Sequence, residues 1–382
     1  MVEDFACFSD LISPVDPKVF LDRYWGKEFL HVSRSDGQHS EWLTLRDIDL
    51  LFQFENLPAA TCNVVSMGAQ IPVEDWSRER SSDRGHYRTV DLERLLECYL
   101  KGATLILNQA QRAIPALSRI CRLLSREFGL PVWSNIYITP PEGAGFAKHE
   151  DDHEVLIFQV FGAKLWTIFA NGKEPVNLQL TCGDILYLPR STPHAALAAR
   201  LPSIHATFGI SAIYGFDLVS ELAVAAKQDP SFQTAVPIRS LDTEALKTWE
   251  KEFAENVRSL LLARGLAGLL EQKAQVLEKS EAGGWPGRFS DVVHLGDVSP
   301  TTVVCRRSGM LFKVHDLGET LELRFAGRSV SIPAFLASCL EMIRTEEPFA
   351  IKELRGLLSD DGKTELVRSL IRAGLLEIKQ PG

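Results

Sequence analysis

A chain of 382 residues, 45% hydrophobic and 24% charged, has the length for two or three domains with substantial cores. Its net charge of −9 argues against tight, non-specific nucleic-acid binding and suits a basic partner such as an arginine- or lysine-rich peptide. Seven scattered cysteines without a C-x-x-C exclude a disulfide framework and a zinc site and point to reduced thiols in the cytoplasm. The first residues lack a basic-then-apolar signal segment, and no window approaches eighteen apolar residues, so no membrane association is expected.

Residues 1–60 read as helical pieces. Ser13-Pro14 opens one that carries Val19, Phe20, Tyr24 and Trp25 on an apolar face, and Thr44 opens another. Strand-like runs at 62–66 and 103–107 flank the polar stretch 75–88, read as a surface loop in preference to a substrate-facing flap. Residues 115–128 predict an amphipathic helix with Pro115 in its first turn and Gly129 just past its end. From 131 to 211 short strands follow one another: VWSNIYIT, EVLIFQVF, KLWTIFA, GDILYLP, HAALAA and SIHATFGI. This spacing predicts an antiparallel sandwich or barrel, with Gly162 ending one strand and Lys164, Trp166 and Ile168 alternating on the next.

The chain then turns helical, at 216–226 and along a periodic stretch at 242–280 interrupted by Gly265 and Gly268. An apolar stripe of that length must be covered, and the expected cover is a second copy of the chain in a homodimer. Residues 281–297, with Gly283-Gly284, read as a linker. Strand-like runs at 300–330 precede three short helices and a closing strand, the outline of a winged helix. Residues 331–382 hold seven Lys/Arg against eight Asp/Glu, so a packing role is expected there rather than DNA binding.

The chemistry centres on His149-x-Asp151. On an extended strand residues i and i+2 share a face, so one imidazole and one carboxylate aim at a common point. His194, after a Pro-bounded turn, adds a second imidazole. Two histidines and one carboxylate leave positions open on one side of an ion, the arrangement of non-haem Fe(II) oxygenases. Lys164 lies between these groups in sequence. Pointed inward it would need an anionic partner, which a small dicarboxylate co-substrate would supply. Pointed outward it would be an ordinary snorkelling lysine. His153 shares the parity of His149 and Asp151, but a fourth protein ligand would block a needed position. His205 reads as a pocket wall, and His31, His39, His86, His294 and His315 as surface or packing residues.

The run N-I-Y-x-T-P-P, then G-F-x-x-H-x-D-D-H-E-V, Q-x-x-G-x-K-x-W and G-D-x-L-Y-x-P-R-x-x-x-H resembles the Jumonji-C ribosomal oxygenases. The resemblance implies an α+β protein with a double-stranded β-helix (cupin, jelly-roll) core. It would comprise a catalytic domain with N-terminal helices over residues 1–214, a helical dimerisation region over 215–284 and a winged-helix-like domain over 285–382. It implies dependence on Fe(II), 2-oxoglutarate and O2. His149, Asp151 and His194 would be the iron ligands, Lys164 the partner of the distal carboxylate, and Asn135 a lining residue. Tyr137 would contact co-substrate or substrate. The family's H-x-T-x-S strand reads His205-Ala206-Thr207-Phe208-Gly209 here, so Thr207 or Ser211 would have to supply the missing hydroxyl. Lys148 replaces the family's proline before the first ligand. The implied reaction is hydroxylation of a side chain of a ribosomal protein or a ribosomally made precursor peptide. Gly209 keeps open a rival, a non-catalytic cupin scaffold that binds a protein or nucleic acid.

Overall fold

Alternating β-branched and aromatic residues build the centre of the molecule. The computed structural model describes residues 7–34, 42–53, 57–83, 85–143, 146–169, 174–236, 243–280 and 285–379; His39 and Gly283-Gly284 lie outside them. In chain order the first strands are β1 (Leu30–Val32), β2 (Cys62–Ser66), β3 (Ala69–Gln70), β4 (Ser77–Ser82), β5 (Gly85–Val90) and β6 (Thr104–Leu107). They are followed by β7 (Val132–Thr139), β8 (Glu154–Ile168), β9 (Val176–Thr181), β10 (Ile185–Leu188) and β11 (His194–Ile210). All but β4 and β5 join one antiparallel sheet in the order β1-β10-β8-β11-β7-β6-β2-β3, with β9 on β8.

Two expected strand breaks do not occur. EVLIFQVF and KLWTIFA form the single strand β8, and HAALAA and SIHATFGI the single strand β11. Gly162 bends β8 rather than ending it: its φ is +64°, and the β11 register shifts between Ala198 and Ser203 beside it. Beyond this corner β8 exchanges β10 for β9 as its outer neighbour, so the sheet folds over on itself. The first half of β8 is buried on both faces. Leu156, Phe158 and Val160 enter the core beneath the N-terminal helices, while Val155 and Ile157 join Trp166, Ile168, Leu180, Leu186 and Leu188 in the fold's interior. A Cβ at Gly162 would sit 1.8 Å from the Pro202 carbonyl oxygen. Gly162→Ala is therefore expected to lower stability by about 2–4 kcal/mol, read from the urea unfolding midpoint.

The helices α1 (Phe8–Ile12), α2 (Pro17–Val19), α3 (Leu45–Phe52), α4 (Val73–Trp76), α5 (Leu92–Leu100) and α6 (Pro115–Phe128) cover one face. The expected start at Ser13-Pro14 moves to Asp16, whose carboxylate accepts from the amides of Lys18 and Val19 at 2.8 and 3.3 Å. The expected loop at 75–88 is α4 followed by the β4–β5 hairpin, on which Arg78 donates to buried Asp91 at 2.6 Å. Most residues of that hairpin are exposed, so no apolar alternation marks it in the sequence.

Beyond the sheet, α7 (Gly215–Ala226), α8 (Thr243–Arg264) and α9 (Leu266–Ser280) pack on one another, and Gly265, at φ +69°, divides the long periodic stretch. The stretch read as a linker contains α10 (Arg288–Val293), anchored because its Asp291 pairs with the buried guanidinium of Arg307. The remaining chain forms β12 (Val303–Arg306), a meander of β13 (Phe312–Asp316), β14 (Thr320–Phe325) and β15 (Arg328–Pro333), then α11 (Ala337–Arg344), β16 (Phe349–Ala350), α12 (Asp360–Ala373) and β17 (Leu376–Ile378). It has its own core, including Val304, Leu323, Ile343, Val367 and Leu376. Of the three short helices expected near the end of the chain, the middle one falls on AIKELRGLL, where the structure has only a 3-10 turn, Ile351–Glu353, and leaves helical geometry at Leu354. Among the described residues no helix is long and apolar enough to cross a membrane.

Candidate metal and co-substrate site

β11 begins at His194, whose backbone pairs antiparallel with His149: each amide donates to the other's carbonyl, at 3.0 and 2.8 Å. His149 and Asp151 thus lie on a loop tied to β11 by one bridge, not on the regular strand expected for them. The amide of Ser191 fixes the same loop by donating to the Asp151 carbonyl at 2.8 Å. As a result one donor atom from each of His149, Asp151 and His194 falls within 4.8 Å of the others. His149 is exposed, Asp151 half-buried and His194 buried, so the cluster opens on one side.

The protonation of the two imidazoles follows from their backbone contacts. The Nδ1 of His149 lies 2.9 Å from the Ala147 carbonyl, and that of His194 lies 2.9 Å from the Thr192 carbonyl. A proton on each Nδ1 satisfies both carbonyls and leaves both Nε2 lone pairs bare, the form in which histidine ligates a metal. Burial holds the His194 imidazole below its usual pKa, which favours the same neutral form.

Behind the cluster a cavity of about 230 Å³ runs into the fold. Alternation along β7 places Trp133, Asn135 and Tyr137 on its wall, with Thr139 beyond them. Asn135 Oδ1 accepts from the Gln109 amide at 3.0 Å. Tyr137 stacks flat on His205, with ring centroids 4.7 Å apart, and its hydroxyl is pushed up to about 12 by burial and then by the Asp151 carboxylate. Lys164 points inward from β8 and is only 2% exposed. Its ammonium donates to Thr139 Oγ1 at 3.1 Å, and among the described residues no carboxylate pairs with it. Burial pulls its pKa down to about 7. Among the described residues the buried Trp166 Nε1 and His205 Nδ1 have no hydrogen-bond partner. Three metal-type donors at the mouth and a buried cation with orphaned polar atoms behind them fit a metal ion and a small dianion.

Thr207 lines this cavity, whereas Ser211 lies past the end of β11. Gly209 has a clear structural reason: a Cβ there would meet Trp133 Cζ2 at 2.4 Å and His153 Cδ2 at 3.0 Å. The Trp133 indole fills the space a side chain would take and leans on His153, with ring centroids 4.8 Å apart. Gly209→Ser is expected to swing the indole away, shifting tryptophan fluorescence and lowering stability by about 1–3 kcal/mol, read from the urea unfolding midpoint. His205 stands in the wall and His153 outside the ligand cluster. Lys148 folds over Phe169, its Nζ 3.9 Å from the ring centroid.

The sequence reading assigned no site role to Trp133, Thr139, Phe146 or Trp166. For Trp133 and Thr139 a signal existed, since they share strand parity with Asn135 and Tyr137. Phe146 sits 5.4 Å from the His149 ring, in a stretch with no periodicity to place it.

A JmjC domain model matches residues 106–218. Ribosomal oxygenase 1 of Rattus norvegicus is 29% identical over 213 residues, covering 50% of this chain and 34% of the relative. The bifunctional lysine-specific demethylase and histidyl-hydroxylase NO66 of Branchiostoma floridae is also 29% identical, over 66% of this chain and 42% of its own length. The chain thus spans well under half the length of these curated relatives. Among solved structures, YcfD, a ribosomal oxygenase from Escherichia coli, matches with a TM-score of 0.57 at 14% identity, covering 96% of this chain and 99% of that one. The same protein in complex with cobalt and 2-oxoglutarate matches at 0.57 and 15% identity, with the same coverage. At such identity these structures establish a shared fold, a JmjC cupin-like arrangement of helices and sheet.

Proposed function

Because the chain belongs to the JmjC ribosomal oxygenase family, we propose that it is an Fe(II)- and 2-oxoglutarate-dependent oxygenase hydroxylating a side chain of a protein or peptide. The observation that carries this reading is one cavity holding both an open His-Asp-His cluster and a buried ammonium without a carboxylate. Bound there, Fe(II) with 2-oxoglutarate and O2 would supply the oxidation, one oxygen atom going to a C–H bond and one to succinate as CO2 leaves. The chain's own part is placement. His149 and His194 keep Nε2 bare towards the metal, Asp151 adds a carboxylate, and Lys164 offers a charge for the distal carboxylate. Asn135, Tyr137 and Thr207 line the co-substrate pocket, while Trp133, His153 and Phe146 frame the opening for substrate.

The substrate we favour is basic and of ribosomal origin, a ribosomal protein or a precursor peptide. The net charge of −9 would draw in such a partner, and the relatives' names point the same way. Residues 1–214 would be catalytic, 215–284 would pair two chains, and 285–382 would form a winged-helix-like packing domain. Exposed Leu262 and Leu266 support the pairing. The seven free cysteines suit a reducing, cytoplasmic setting. The scaffold rival rested on Gly209, whose missing side chain makes room for Trp133. The test is incubation of purified protein with Fe(II), ascorbate, 2-oxoglutarate and ribosomal proteins, followed by peptide mass spectrometry. A single added oxygen that requires 2-oxoglutarate supports the reading; no succinate with any such substrate counts against it.

A further inference from the structure

We propose that Arg190 is a positioning residue for the metal site, tying the loop of His149 and Asp151 to the helical region that begins at α7. The proposal rests on the reading of His149, Asp151 and His194 as metal ligands. The turn from β10 to His194 holds the carbonyls of two successive loop residues: the Ser191 amide donates to Asp151, and Arg190 Nε donates to Asp152 at 2.9 Å. The backbone that leads out of Asp151, immediately after its carboxylate side chain, is therefore held by this turn.

The other end of the contact lies outside the cupin sheet. The Arg190 guanidinium lies 4.8 Å from the ring centroid of Tyr214 and 4.9 Å from that of Phe216, and these two rings stack 5.6 Å apart at 7°. Tyr214 is anchored by its hydroxyl, which donates to buried Glu154 at 2.8 Å at the start of β8. Phe216 belongs to α7, whose Asp217 pairs with Lys273 of α9 at 2.9 Å. A chain of contacts thus runs from α9 through α7 to Arg190 and on to the metal loop. A plain surface arginine would have no reason to combine ring stacking with a bond to a carbonyl beside a ligand. Lysine could not do both, because its ammonium is a point charge on a flexible stem.

The test is anaerobic titration of the full chain with Co(II) and 2-oxoglutarate, reading Kd and the d–d absorption bands, with circular dichroism to confirm folding. Arg190→Ala should weaken Co(II) binding about 10–100-fold and alter the bands, as loss of support for a ligand does. Arg190→Lys should fail to restore either. Phe216→Ala, at a half-exposed ring that touches no ligand, should weaken binding roughly threefold, isolating the link to the helices. Wild-type Kd and spectrum in either Arg190→Ala or Phe216→Ala would overturn the proposal. Absence of Co(II) uptake by the unaltered protein would instead overturn the metal reading, and the proposal with it.

Discussion

His194→Ala is expected to lower 2-oxoglutarate-dependent succinate formation on the order of 10³-fold or more while leaving the fold intact. As ligands, the three donors would hold an ion on one side only, so losing one would leave two and empty the site at ordinary metal concentrations. His194 is the deepest of the three, 4% exposed, and its Nε2 lies 3.6 Å from Asp151 Oδ2. The backbone bridge to His149 does not depend on the imidazole, so β11 should keep its place. Metal content by elemental analysis, the melting curve and turnover separate the effects. An unaltered turnover rate in this variant would end the assignment.

Lys164→Met should weaken 2-oxoglutarate binding about 100-fold and, in the free protein at neutral or lower pH, raise stability. The ammonium is buried with a threonine hydroxyl as partner, so its charged form is disfavoured and its pKa falls from 10.5 to about 7. Between these values the unfolded chain binds more protons than the folded one, so this group makes stability rise with pH from about 7 towards 10.5, by up to about 1.4 kcal/mol per unit. Below about 7 both states are protonated and the burial penalty is complete. Methionine carries no such penalty, so the gap between variant and wild type should be flat in acid and close as pH rises. A bound dianion needs the ammonium, so wild-type affinity for 2-oxoglutarate should fall up to tenfold per pH unit above about 7. Urea midpoints and calorimetric titrations across that range check both. Equal 2-oxoglutarate affinity in the methionine variant would remove Lys164 from the co-substrate pocket.

The convergence of His149, Asp151 and His194 was readable because short spacings and residue types carry over directly from chain to geometry. The sequence left the direction of Lys164 open; the structure turns it inward on the same strand parity as Trp166 and Ile168, both in the fold's interior. What stayed hidden depended on distant contacts. Nothing local says that β8 continues through Gly162, since the positive φ there answers to the Pro202 carbonyl forty residues on. The reason for Gly209 lies in Trp133, on the neighbouring strand. The β4–β5 hairpin carries its charges on both faces, which leaves propensity with no pattern to follow. α10 owes its place to Arg307, a partner that no window of sequence around it contains.

The ladder between β8 and β11 pairs Ile168 with His194 and Lys164 with Ala198. Four strand residues, about 13 Å of backbone, therefore separate the level of the histidine from that of the lysine. This interval is a ruler made of main-chain amides, and no side-chain replacement can reset it. An inserted or deleted residue between those rungs would turn either the imidazole or the ammonium to the opposite face. The reach between the two groups, and so the length of diacid that can span it, is inherited from strand pairing.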